Sequence, residues 1–251
     1  KDAYFSVPLH KNSQKFVKFK WKQKVYQFIC LCFGLASAPR VFTKLMKIPI
    51  AILRRLNFLL IIYLDDILLI ARTEKELITA RDTLIFLLQS LGFLINIEKS
   101  ILQPCQRIEF LGIMVDTQEM PLSLPEDKVV SIIEQCQLLL SKNLVSVREL
   151  AQLIGKLSYS AVAILPAPLH YRSLQRQQIL EFSTEKNLEK EICLSQEVKQ
   201  ELLWWINNLK LSNGKSLVTT KPQIVIASDA SLKGWGAFCQ GRKTRGGLVE
   251  V

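Results

Sequence analysis

Two apolar runs, residues 58–64 and 67–71, are interrupted only by one pair of acids, Asp65-Asp66. Each run has the length and the Ile/Leu content of a buried strand, and neither is long enough to cross a bilayer. An antiparallel hairpin with the two carboxylates at its tip keeps both strands apolar and the charges out of a core. Adjacent carboxylates repel each other, and a neighbouring apolar sheet makes their desolvation costly. A divalent cation relieves both effects, and Mg²⁺ takes a few carboxylate oxygens while completing its shell with water or phosphate oxygens. On the pair alone, an ordinary polar turn, where Asp is common, is the better reading. The surrounding residues have to decide.

The 251-residue chain carries 33 Lys and Arg against 22 Asp and Glu, a formal net charge of +11. That excess is local. Residues 1–60 hold twelve basic residues and one acid, Asp2, whereas residues 61–251 hold 21 of each sign. A neutral body with a basic first quarter reads as a localised surface for a polyanion. Within it, Val17, Phe19 and Trp21 alternate with Lys18, Lys20 and Lys22, and Gln23-Lys24 suits a turn into a second strand. Lysines at two-residue spacing fit a phosphate backbone and a solvated sheet face equally well. Six scattered cysteines without a C-x-x-C, beside two histidines, argue against a structural zinc site and suit a reducing compartment. The expected location is intracellular, cytoplasmic or nuclear, with no membrane partner.

Residues 33–57 read as a loop and a helix, with Ser37 as N-cap, Pro39 in the first turn and Pro49 kinking or ending it. Thr73 and Glu76 form a capping box, and Gly92 suits the C-terminal cap of that helix. Residues 93–97 and 108–115 read as strands. A helix after Pro125 carries Val129, Val130, Ile133, Cys136 and Leu140 on one side, and another after Ser146 carries Leu150, Leu153, Ile154 and Leu157. Residues 185–211 read as helix with Leu188, Ile192, Val198, Leu202, Trp205 and Leu209 inward, and strands follow at 223–227, ending at Asp229, and at 235–239. Adjacent Trp204 and Trp205 read as helix packing residues, and His10 and His170 receive no role.

Tyr63-Leu64-Asp65-Asp66 between its strands resembles the Y-x-D-D signature of reverse transcriptases. Four neighbouring matches come in that family's order. Asp2-Ala3-Tyr4-Phe5-Ser6-Val7-Pro8-Leu9 is similar to the end of the first catalytic motif. Phe33-Gly34-Leu35-Ala36-Ser37-Ala38-Pro39 is similar to the loop and helix behind the nascent base pair. Leu91-Gly92-Phe93 with Lys99 resembles the fourth motif, and Phe110-Leu111-Gly112 the primer-grip turn. The texture of Arg40-Val41-Phe42-Thr43-Lys44, and of residues 148–157, looks most like the DIRS group of tyrosine-recombinase retrotransposons. Residues 224–231, with Gly234-Trp235-Gly236-Ala237, are similar to the first strands of a ribonuclease H domain.

The resemblance implies an α+β fold. A palm with part of the fingers would cover 1–122, with an antiparallel sheet backed by helices. A helical thumb or connection would cover 123–220, and an incomplete ribonuclease H-like α/β start 221–251. It implies RNA-directed DNA polymerisation with Mg²⁺ or Mn²⁺, on an RNA or DNA template with primer, from deoxynucleoside triphosphates. Asp65 and Asp66 would be metal ligands, and Lys99 would protonate or neutralise the leaving pyrophosphate. Asp2, Ala3, Tyr4, Phe33 and Gly34 would form the nucleotide pocket, Tyr4 blocking a ribose 2′-hydroxyl, and Asp229 would bind metal in the ribonuclease H part. A remnant that binds primer–template without chemistry is the alternative. An unrelated two-metal hydrolase is a third, which predicts neither the turn at Phe110, Leu111 and Gly112 nor a helical thumb. The family's first metal-binding Asp falls three residues before Asp2, ahead of Lys1, and the remaining ribonuclease H acids fall beyond Val251. The 251-residue chain by itself is therefore expected to give no Mg²⁺-dependent primer extension, and a labelled-primer assay showing extension overturns that expectation.

Overall fold

The computed structural model describes residues 3–218 and 223–247. The chain divides into two compact units, Lys1–Gln118 and Glu119–Val251.

The first unit begins with a 3-10 turn, Ala3–Ser6, and a short helix α1 (Lys11–Gln14), capped by His10, whose Nδ1 accepts from the Asn12 amide. A hairpin of β1 (Lys18–Trp21) and β2 (Lys24–Gln27) follows. Its register pairs Trp21 with Lys24, so the turn is Lys22-Gln23, one residue earlier than the sequence suggests. Both turn residues have positive φ, 44° and 63°, as a two-residue hairpin turn twisted to match its strands requires.

Helix α2 (Ala38–Arg55) does not end at Pro49. Pro49 is buried with Phe42, Met46, Ile50 and Leu53 on the face that meets the core, and packing on both sides of the proline carries the helix through. Ser37 makes no side-chain capping bond, although Pro39 does occupy the first turn. Strands β3 (Leu59–Tyr63) and β4 (Asp66–Ile70) form the expected hairpin. Leu60 is buried in the α2 cluster with Leu84 and Leu88 of α3 (Glu74–Ser90), and Ile62, Ile67 and Leu69 pack against it.

Thr73 Oγ1 accepts from the Glu76 amide at 3.2 Å, but the Glu76 carboxylate reaches the Arg72 amide rather than closing a box on Thr73. At the other end Gly92 has φ +85°, and the Phe93 amide donates to Leu88 O at 2.9 Å, the long-range bond of a Schellman cap. Residues 93–96 do not form a strand and lead into a 3-10 turn, Ile97–Lys99. The segment read as one strand at 108–115 is a hairpin, β5 (Arg107–Phe110) and β6 (Ile113–Asp116).

The second unit is built on four helices. β7 (Pro121–Ser123) precedes α4 (Glu126–Ser141), and β8 (Val145–Ser146) precedes α5 (Val147–Ser160). α6 (Arg172–Glu185), β9 (Glu191–Ile192), α7 (Gln196–Ser212) and β10 (Lys215–Ser216) follow. α4 packs on α5 and α7, and α6 on the same two, closing a four-helix arrangement; β8 pairs with β9 and β7 with β10. The span expected as one helix, 185–211, instead begins at the last residue of α6 and holds β9 and α7. Leu188 and Ile192 lie outside α7, whose buried stripe is Val198, Leu202, Trp205 and Leu209. On α4 the buried stripe is Val129, Ile132, Cys136 and Leu139, rotated from the expected side. Burial pushes the Cys136 thiol up to about 12, so it is an inert packing group.

Glu201 of α7 supplies the cap that α6 lacks, its carboxylate oxygens accepting from the Ser173 and Leu174 amides at 3.0 and 3.1 Å. Trp205 is fully buried and donates through Nε1 to His170 O at 2.7 Å. Trp204 stacks on the His170 ring at 3.7 Å, so both of these residues serve packing. Beyond residue 222, β11 (Ile226–Ser231), β12 (Gly234–Cys239) and β13 (Arg242–Gly247) form a three-stranded antiparallel sheet. Among the described residues no helix accompanies that sheet, and no helix is long and apolar enough to cross a membrane.

Ser146 and Glu149 make a complete capping box at the start of α5. Ser146→Ala is expected to lower the unfolding free energy by about 1 kcal/mol in urea titrations. The Lys142 ammonium, then the Ser146 amide, hold the Glu149 carboxyl below its usual range. Its contribution is therefore present above the ordinary glutamate value of about 4.3 and lost as pH falls through the lower folded value. Glu149→Gln is expected to flatten that part of the stability–pH curve.

Candidate active site

The β3–β4 register pairs Tyr63 with Asp66, leaving Leu64-Asp65 as the two-residue turn. Leu64 takes φ +54°, which a tight hairpin turn demands. Alternation along β3 buries Leu60 and leaves Tyr63 exposed, and the apolar pattern thereby places the acid pair at the tip of the hairpin, Asp65 in the turn and Asp66 as the first residue of β4. Both carboxylates are exposed, so the desolvation expected from the apolar strands does not reach them. What remains is repulsion between neighbouring like charges in a position open to a ligand.

The pair opens on a cleft of about 760 Å³. Asp65, Asp66, Lys99 and Phe110 all line it, so residues up to 45 positions apart meet in one concavity (Asp65 and Phe110). Its floor is apolar, with Phe42, Met46, Leu84 and Leu88 from the helices below. Arg81 also lines the cleft and went unread in the sequence, where it is one basic residue on a helix. Its Nη1 donates to Leu102 O at 3.0 Å, which ties the segment carrying Lys99 to α3. Only the fold brings Leu102 within reach, so nothing in the local pattern announces this bond.

Tyr4 and Phe33 lie at 5.1 Å centroid separation, and Tyr4 meets Phe42 edge-on at 5.5 Å. Phe42 therefore belongs both to the cleft and to the aromatic group around Tyr4. Gly34 has φ +87° with no atom within 4 Å of where a Cβ would stand, so conformation and not space requires glycine there. The Leu111-Gly112 turn joins β5 to β6 with φ values of 50° and 74°. Ala3 opens the first 3-10 turn, while Asp2 lies outside the described residues, as does Glu250.

In the second unit Asp229 sits within β11 rather than at its end, exposed, with Oδ1 accepting from the Ala230 amide at 2.9 Å. The register places Gly236 and Arg245 across from it on the same face. Among the described residues no three His, Cys, Asp or Glu side chains converge as a metal site. The Asp65-Asp66 pair offers hard carboxylate oxygens in an open position, which is the donor chemistry of Mg²⁺ or Mn²⁺ with water and phosphate completing the shell.

Residues 1–115 match the family model described as reverse transcriptase (RNA-dependent DNA polymerase). The genome polyprotein of Petunia vein clearing virus is 30% identical over 112 residues, covering 45% of this chain and 5% of that protein. The Gag-Pol polyprotein of Walleye dermal sarcoma virus is 25% identical over 234 residues, 91% of this chain and 12% of that one. The foamy viral protease–reverse transcriptase solved in complex with RNA/DNA hybrid aligns with a TM-score of 0.70 at 17% identity, covering 99% of this chain and 32% of that one. Its complex with double-stranded DNA, in a form named dRH, gives 0.69. The fold is that of a reverse transcriptase, and residues 1–115 are similar in sequence to the reverse-transcriptase family. The chain spans only a small part of the curated relatives, 5% of the genome polyprotein and 20% of the enzymatic polyprotein of Soybean chlorotic mottle virus. The hairpin turn at Leu111-Gly112 and the helical second unit are both present, against the hydrolase alternative.

Gly34→Ala is expected to destabilise the chain by about 1 kcal/mol through backbone strain alone, measured by thermal unfolding.

Proposed function

We propose that the chain is the palm and thumb of an RNA-directed DNA polymerase, leading into the start of a ribonuclease H module. The observation that carries this reading is the exposed Asp65-Asp66 pair, opening on one cleft with Lys99 and Phe110 inside the segment that matches the reverse-transcriptase model. Structural neighbours solved with double-stranded DNA and with RNA/DNA hybrid support a primer–template partner.

In this reading Asp65, with Asp66 beside it, holds the divalent cation in the cleft. Bound there, Mg²⁺ or Mn²⁺ supplies charge stabilisation for attack of a primer 3′-hydroxyl on the α-phosphate of a deoxynucleotide. Lys99 faces the same space and neutralises or protonates the leaving pyrophosphate, on a segment that Arg81 keeps in place. Tyr4, braced between Phe33 and Phe42, walls the sugar side against a 2′-hydroxyl. Ala3 and the Gly34 turn complete the nucleotide pocket, to which the motif resemblance also assigns Asp2, and Phe110, Leu111 and Gly112 hold the primer end. Asp229 is the metal ligand of the ribonuclease H part. The texture of residues 40–44 and 148–157 favours a DIRS-type element as the source, acting in the cytoplasm or nucleus.

Primer extension by the polymerase that contains this chain is the test. Asp65→Asn is expected to lower the extension rate by on the order of 100-fold or more, since even partners that only orient metal ligands are worth 10–100-fold. Tyr4→Ala is expected to raise ribonucleotide incorporation relative to deoxynucleotide. Extension at an unchanged rate in Asp65→Asn refutes the reading.

A further inference from the structure

The β1–β2 hairpin has two chemically distinct faces. Its register sets Phe19 opposite Tyr26 and Trp21 opposite Lys24 on one face, and Lys18 opposite Gln27 and Lys20 opposite Val25 on the other, with Lys22 at the turn. Every residue of both strands is exposed. Trp21 is 62% exposed, and Phe19 and Tyr26 are 44% each.

Three large rings held in water on one face of a two-stranded hairpin are costly, and such a hairpin is marginal alone. It is steadied by ring contacts that run inward: Phe19 to Phe28 at 5.0 Å, Phe28 to Phe5 at 6.2 Å, Phe5 to Phe33 at 5.6 Å, and Phe33 to Tyr4 at 5.1 Å. The exposed ring face is therefore the outer end of the aromatic group that reaches the cleft through Phe42. The charge around it is of one sign. Lys18, Lys20, Lys22 and Lys24 lie on the hairpin, and no Asp or Glu occurs between Asp2 and Asp65.

We infer that the β1–β2 hairpin is a stacking platform for single-stranded nucleic acid, taking the unpaired template strand on Phe19, Trp21 and Tyr26. Rings stack on base faces that a duplex keeps covered, and they do so without sequence preference. The lysines at the hairpin's edge and back neutralise the phosphates that flank the stacked bases. The lysines without a balancing acid select a polyanion over an apolar protein surface. The identity of the strand as template rests on the polymerase reading. The preference for single strands rests on the hairpin itself.

Anisotropy titrations of the 251-residue chain test this with three labelled probes: a blunt RNA/DNA hybrid, the same hybrid with a 5′ template overhang of about six nucleotides, and that overhang sequence as a free single strand. The overhang is expected to tighten binding over the blunt hybrid. Trp21→Ala or Tyr26→Ala, both at exposed positions outside the core, should each remove about tenfold of affinity for the overhang and single-strand probes while leaving the blunt hybrid unchanged. Lys18→Gln with Lys20→Gln should reduce the salt slope on the single strand by about 0.7 for each phosphate no longer neutralised. Overhang binding that is indifferent to the ring substitutions overturns the inference. So does a ring-dependent dimer with unchanged nucleic-acid affinity, which would give the face to a second copy. If neither hybrid binds while ring-dependent binding of the single strand persists, the polymerase reading fails and the platform stands.

Discussion

Everything in the first unit depends on how the β3–β4 hairpin meets the two helices behind it. Leu60 enters the cluster of Phe42, Met46, Ile50 and Leu53 from α2 and Leu84 and Leu88 from α3, with Ile62 packed against it. A strand's period of two allows no other register once that face is committed, because a one-residue slip would put Leu59 and Ile61 inside and expel Leu60. Burial of one apolar face thus fixes the position of the hairpin tip. The carboxylates need no interaction of their own to hold them in place. Their mutual repulsion is tolerated because they stand in solvent, and the site obtains its charge without placing it in a core.

The second unit solves a different problem, that of ending helices cleanly in a bundle. α5 and α7 carry their own caps in Ser146 and Ser195, whereas α6 borrows the carboxylate of Glu201 from α7. Gln177 of α6 in turn donates to Cys193 O and accepts from the Ser195 amide, tying the entry of α7 to the middle of its neighbour. Burial of Trp205 with its indole N–H paired to His170 O adds a directional contact to an otherwise apolar interface. These reciprocal bonds make the four helices a coupled set.

Where sequence and structure part, the cause is tertiary each time. α6 is polar along most of its length and shows almost no apolar periodicity, so its stability comes from α5, α7 and the Glu201 cap. α2 continues through Pro49 because burial of its flanks outweighs one missing hydrogen bond. Residues 93–96 have strand-like composition but do not form a strand, since such composition is a weak preference that tertiary context overrides. The buried side of α4 differs from the expected side because Val130, apolar as it is, faces outward, while Ile132 and Leu139 are buried. Periodicity fixes that a helix has an apolar side; the partner helices choose its direction.

The sequence by itself determined the hairpin with Asp65-Asp66 at its tip, the helix opening at Ser146, the glycine after α3 and the order of the motifs. These are local: each follows from residues within a few positions of one another, where period, cap chemistry and turn geometry act. The tertiary structure alone decided that Asp65, Asp66, Lys99 and Phe110 line one cleft, that Arg81 anchors the segment bearing Lys99, and that a row of rings links the basic hairpin to Tyr4. Those relations join residues tens of positions apart. Chain closure over such distances is specified by the sum of buried contacts and not by any short pattern; the ordered motifs pointed to one site for Asp65, Asp66, Lys99 and Phe110 only by resemblance, and nothing local pointed to the Arg81 anchor or the row of rings.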